Sequence, residues 1–144
     1  LFSGYVMLRV GAADWPRPFT GFPWVETLLL VGASAAFAAK RSQLVVSNAL
    51  SLTFVVIKIL NDVTLAGQGI TPATNLVWAC YFTLTGVHAI HVLAGAIVTG
   101  WLGGPGFVMA SEDHERWLAR IDATRLYWLF VDVVWLALVV SFYL

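Results

Sequence analysis

The chain has 144 residues, of which 60% are hydrophobic and 11% charged, and its formal net charge is zero. Soluble globular domains carry about 25% charged residues, so this composition excludes an ordinary soluble fold and points to an integral membrane protein. With no excess of either sign, no global field favours nucleic acid or an acidic partner, and a single cysteine, Cys80, excludes an internal disulfide or a multi-cysteine metal site.

A helix needs roughly 20 apolar residues to cross a hydrocarbon core of about 30 Å. On that criterion the sequence predicts an all-α, polytopic transmembrane bundle of about five helices in a single domain. The first window, Leu1 to Val10, is a stub that ends at Arg9; the chain opens on Leu rather than Met, and the expectation is an incomplete N-terminus. The second runs from Trp24 to Ala39, ahead of Lys40 and Arg41, whose stems can snorkel to the interface. The third, Leu44 to Ala66, carries Lys58, Asn61 and Asp62 near its far end. The fourth, Asn75 to Leu102, is free of Asp, Glu, Lys and Arg, and the fifth, Leu126 to Leu144, holds only Asp132. Apolar residues surround these segments instead of alternating, which excludes barrel strands. Between them lie the breakers "ADWPRPFTGFPW", "GQGITPATN" and "GGPGF". The charged run "SEDHERWLARID" reads as a short surface helix with Trp117 and Leu118 at the interface.

Loops of alternate windows fall on alternate sides. Lys40, Arg41, Arg116, Arg120 and Arg125 share one side, and the positive-inside rule places loops 40–43 and 103–125 in the cytoplasm and the end after Tyr143 outside.

The fourth window raises the sharpest question, because it carries His88 and His91 in otherwise apolar sequence. Residues three apart share a helical face, so the two rings cannot approach one haem from opposite sides. A di-iron bundle requires a glutamate three residues before histidine, whereas Thr85 precedes His88 and His88 precedes His91. Asp132 falls at a comparable depth, and the favoured expectation is a buried hydrogen bond from His88 or His91 to Asp132, since polar groups at that depth are costly unless satisfied. A proton relay, a partner contact and metal or haem ligation stand behind it. Lys58 and Asp62, at i and i+4, can pair with each other; a contact to a partner or a place in an ion path is the functional alternative. Gly86, Ala89, Val92, Ala96 and Gly100 recur at helical spacing on the fourth window, as do Gly32, Ala35, Ala36 and Ala39 on the second, and predict close helix packing.

Two stretches go beyond generic membrane sequence. "TGVHAIHVLAG" (85–95) and "YWLFVDVVWLALVVSFY" (127–143) resemble the most characteristic segments of subunit III of the haem-copper oxygen reductases, the cytochrome c oxidase family. "PATN" (72–75) and "WVETLLLVGAS" (24–34) extend the likeness over most of the chain, which corresponds to the last five helices of the seven-helix form or to the compact five-helix form. The resemblance places the family's paired histidines on His88 and His91, its aspartate on Asp132, its tryptophans on Trp128 and Trp135, and its loop glutamate on Asp122. Gly86 and Gly95, with the two tryptophans, fall at helix-packing or lipid-contact positions. Leu129 stands where the family's last-helix motif has histidine, and Asn61-Asp62 where many relatives have Glu-Tyr.

What the resemblance implies is an accessory subunit of the bacterial inner membrane. It would hold no catalytic, cofactor-binding or metal residue of its own. Haem and copper would lie in the partner catalytic subunit I, bound phospholipid is expected, and other respiratory subunits are further partners. Such a subunit stabilises its neighbour, binds lipid and supports proton uptake during oxygen reduction. A related subunit of a nitric oxide reductase, or a stand-alone haem-binding or proton-conducting protein, are the alternatives.

Overall fold

The computed structural model describes residues 2–11, 23–37 and 40–143. Among them every regular element is helical: α1 (Phe2–Gly11), α2 (Trp24–Ala36), α3 (Arg41–Gly67), α4 (Leu76–Gly103), a 3-10 turn (Pro105–Val108), α5 (Met109–Glu112) and α6 (His114–Tyr143). Three of these, α3, α4 and α6, are long and apolar enough to cross a membrane, and α2 is a shorter apolar helix. The predicted second window extends to Ala39, which lies outside the described residues; the helix ends at Ala36, with Phe37 extended.

Local chemistry sets the helix ends. Asn75 caps α4, its Oδ1 accepting from Trp78 N at 3.0 Å, which satisfies one of the N–H groups that a helix start leaves without a partner. At the far end of α3, Gly69 adopts φ 81°. Ile70 N donates to Leu65 O and Gly69 N to Ala66 O, each at 3.0 Å, the paired closure that needs a left-handed residue and therefore favours glycine. The end of α4 coincides with Gly103-Gly104-Pro105, a sequence that cannot continue a helix.

The charged run differs from expectation. Residues 109–112 form only the single turn of α5, and from His114 the chain enters α6 without a break. No Gly or Pro interrupts residues 114–143, so nothing stops the helix, and its 30 residues reach about 45 Å, longer than the hydrocarbon core. Asp113 caps it, accepting from Arg116 N at 3.1 Å. Trp117 is therefore not an interfacial residue. It is buried, 1% exposed, edge-on to Phe107 with ring centroids 5.4 Å apart, because the helix turns that position toward the loop folded beneath the bundle. Leu118, by contrast, is exposed.

The helices form a closed ring. α2 packs on α3, α3 on α4, α4 on α6, and α6 returns to α2. Leu30, Ala33, Leu44, Phe54, Val92, Ala96, Trp128, Val131 and Trp135 fill its interior. α1 joins at one end, where Tyr5 Oη and Arg9 Nη1 donate to Ser141 O at 2.7 and 2.6 Å. At the other end Arg41 Nε donates to Gly103 O at 3.0 Å and ties α3 to the close of α4.

Candidate functional site

α6 presents Trp128 and Trp135, seven residues apart and so on one face, to two different helices. Trp128 Nε1 donates to Thr99 Oγ1 of α4 at 3.1 Å. Trp135 Nε1 donates to Thr27 Oγ1 of α2, also at 3.1 Å. Each indole is thus a buried apolar plate with one hydrogen bond that fixes its partner helix.

Beside Trp128 the α4–α6 seam narrows at Gly95. A Cβ there would lie 3.0 Å from the Tyr127 ring and 3.2 Å from Trp128. Gly86, on the same helix, has nothing within 4 Å of where its Cβ would stand. Among the described residues, then, no side chain packs against Gly86 as Tyr127 and Trp128 do against Gly95.

His88 is buried at 3% exposure. Its ring stacks on Trp135, with centroids 5.2 Å apart and planes at 27°, and meets the edge of Phe54 at 5.9 Å. His88 Nε2 and Asp132 Oδ1 are both buried without a hydrogen-bond partner. The expected bond from a histidine to Asp132 is absent: the His88 ring lies stacked on Trp135, and the polar neighbour of Asp132 is Ser34 of α2. By geometry neither Ser34 Oγ nor Asp132 Oδ1 completes a hydrogen bond. His91 is exposed. Its Nδ1 lies 2.8 Å from Val87 O, one turn back, and its own carbonyl accepts from Tyr127 Oη at 2.8 Å. Since Asp132 and His88 make no shared bond, the stability losses from Asp132→Asn and His88→Ala are expected to add within about 0.5 kcal/mol in the double variant. Detergent-unfolding titration of all three checks this; a coupling above about 1 kcal/mol means that the two groups meet.

Toward the end of α3 the structure assembles a second polar set. Lys58, 2% exposed, donates to Asp62 Oδ1, the i, i+4 pair expected from spacing. Lys58 Nζ also lies 3.3 Å from Tyr81 Oη and 4.6 Å from the centre of that ring. One turn along, Asn61 Nδ2 donates to Glu26 Oε1 of α2 at 2.5 Å, and Glu26 is within coulombic reach of both Lys58 and Asp62. Sequence reasoning assigned Glu26, Asn61 and Tyr81 no part in this cluster. The available signal was Glu26 itself, an acid in an apolar window whose helix offers it no cation, which obliges it to find a partner on another helix.

Among the described residues no three His, Cys, Asp or Glu side chains converge as a metal-holding group. Several of the inward polar groups instead join helices, as Trp128 with Thr99, Trp135 with Thr27 and Asn61 with Glu26 do. A model of the family described as cytochrome c oxidase subunit III matches residues 23–144. The chain belongs to the cytochrome c oxidase subunit III family. It is 30% identical to the cytochrome c oxidase subunit 3 of Synechocystis sp., covering 100% of this chain and 67% of that protein. It is 31% identical to the cytochrome c oxidase subunit 3 of Mycosarcoma maydis, over 91% of this chain and 52% of the relative. A protein named probable quinol oxidase subunit 3 from Staphylococcus haemolyticus is 28% identical over 78% of this chain and 58% of its own length. The chain thus spans about half to two-thirds of these relatives. Membership of the subunit III family and three long apolar helices together make it an integral membrane protein, a subunit of a haem-copper oxidase complex. Subunit III is a non-catalytic member of such complexes.

Proposed function

We propose that the chain serves as an accessory subunit docked on the catalytic subunit I of a haem-copper oxygen reductase in a bacterial inner membrane. Haem and copper reside in that partner, and this chain stabilises it, binds phospholipid and supports proton uptake during turnover. What supports the reading is the use of the polar side chains. Trp128 with Thr99, Trp135 with Thr27 and Lys58 with Asp62 hold helices to one another or neutralise one another inside the ring, while the outward faces of α3 and α6, with Val56, Ile59, Val63, Phe130, Val133 and Val140, remain apolar and exposed. A rigid ring with apolar flanks is suited to lie between a neighbouring subunit and lipid. In this reading loops 40–43 and 103–125, with Asp122 exposed on the first turns of α6, face the cytoplasm.

Affinity purification of the tagged chain from native membranes in mild detergent tests the assignment. A large subunit with haem-copper absorption is expected to co-purify in equal amount, with oxygen-reducing activity, and a C-terminal tag is expected to be cleaved by external protease. Nitric oxide reduction by the purified complex would move the chain to the related reductase. A Soret band in the isolated chain would overturn the accessory reading in favour of a haem protein.

A further inference from the structure

A groove of about 360 Å³ runs between α4 and α6, lined among others by Leu84, Val87, His91, Phe130, Val133 and Ala137. Apart from the imidazoles of His88 and His91, every lining side chain is apolar. His88 Nε2 is covered and out of reach of a ligand, but His91 is exposed. Its protonation pattern follows from one contact. Val87 O, 2.8 Å from His91 Nδ1, can only accept, so Nδ1 carries the hydrogen and the neutral ring keeps Nε2 as an acceptor. His91 lies about 22 Å from one end of α4 and about 18 Å from the other, near the middle of the bilayer, where water does not supply a donor.

The groove therefore needs an occupant that is apolar throughout except for one hydrogen-bond donor at half depth. A phospholipid holds its donors at the headgroup and offers only hydrocarbon at that level. The volume is that of a small-molecule site, commonly about 300–1,000 Å³ and often found between the helices of a bundle. The walls are held in advance by the Tyr127 bond to His91 O and the Trp128 bond to Thr99. We propose that the α4–α6 groove binds a prenylated hydroquinone, whose phenolic O–H donates to His91 Nε2 while its ring and tail lie along the apolar walls. The assignment is one of binding, involves no electron transfer, and does not depend on which reductase the chain serves.

The test uses the intact complex in lipid nanodiscs and a decylhydroquinone with a diazirine on its tail, kept reduced with ascorbate. After illumination, mass spectrometry is expected to place the label within residues 84–91 and 130–138. Unlabelled decylhydroquinone should displace it, and its dimethyl ether, which has no donor, should not. His91→Leu is expected to lower labelling at least fivefold, and His91→Gln, which keeps an acceptor, to retain most of it. Val133→Trp fills the groove and should abolish labelling, and it carries the test if His91→Leu does not assemble. Equal competition by the dimethyl ether, undiminished labelling in the His91→Leu or Val133→Trp complex, or cross-linking of the groove to another protein chain would each overturn the proposal.

Discussion

Gly95→Leu is expected to open the seam between α4 and α6 and to cost the chain far more stability than the same enlargement at Gly86. The branched side chain would have to displace the Tyr127 ring at 3.0 Å and the Trp128 indole at 3.2 Å. Neither can yield freely. Trp128 is 1% exposed and held by Thr99, and Tyr127 is held by His91 O. Overpacking of this kind costs about 1–3 kcal/mol, and separating Trp128 from Thr99 adds about 1 kcal/mol. Gly95→Ala asks only for a shift of a few tenths of an ångström and should lie well below that. Gly86→Leu is the control, because open space surrounds that position, and its effect should stay within about 0.5 kcal/mol. Unfolding titrations in mixed micelles compare the three. Equal losses from Gly86→Leu and Gly95→Leu would refute the seam.

Lys58→Met should be the other severe change. Lys58 is the cation shared by Asp62 and, at longer range, Glu26. Removing it leaves two acids near the bundle interior, one of them, Glu26, 8% exposed. Breaking a buried pair by deleting one partner costs about 3–5 kcal/mol. The Asp62 side chain is 27% exposed, so solvent screening sets the expected loss at the lower end of that range. The second variant decides the cause: adding Asp62→Leu to Lys58→Met should recover part of the loss, because the acid paired directly with Lys58 is then gone and only Glu26, which keeps its bond from Asn61, is left without the cation. A neutral Lys58→Met, or a double variant worse than the single one, would rule out the ion pair as a source of stability.

Both positions show how far the linear chain can be read. Lys58 and Asp62 were legible as a pair because i and i+4 meet on any helix. The participation of Glu26, Asn61 and Tyr81 was not, since those residues come together only when α2, α3 and α4 stand side by side. The spans were legible from hydropathy alone, yet the charged run before the last of them was not recognised as its continuation. Its charges conceal a stretch with no Gly or Pro, and Trp117 became a core residue by rotation about the helix axis. The histidine motif was recognisable as a family signature, but its partner was not. Equal depth suggested Asp132, whereas the azimuth of α6 turned Trp135 toward His88 and Asp132 toward Ser34.

The sequence by itself determined the membrane as solvent, the long helices, the breaks between Ala66 and Asn75 and after Leu102, and the family, because each depends on composition or on neighbours within a few residues. Only the tertiary structure decided that Gly95 and not Gly86 sits in the seam, that Trp128 and Trp135 clasp different helices, and that His88 lies against an indole. Those outcomes depend on how each helix is rotated against the next, and rotation is set by the joint packing of the whole ring, which no single segment encodes.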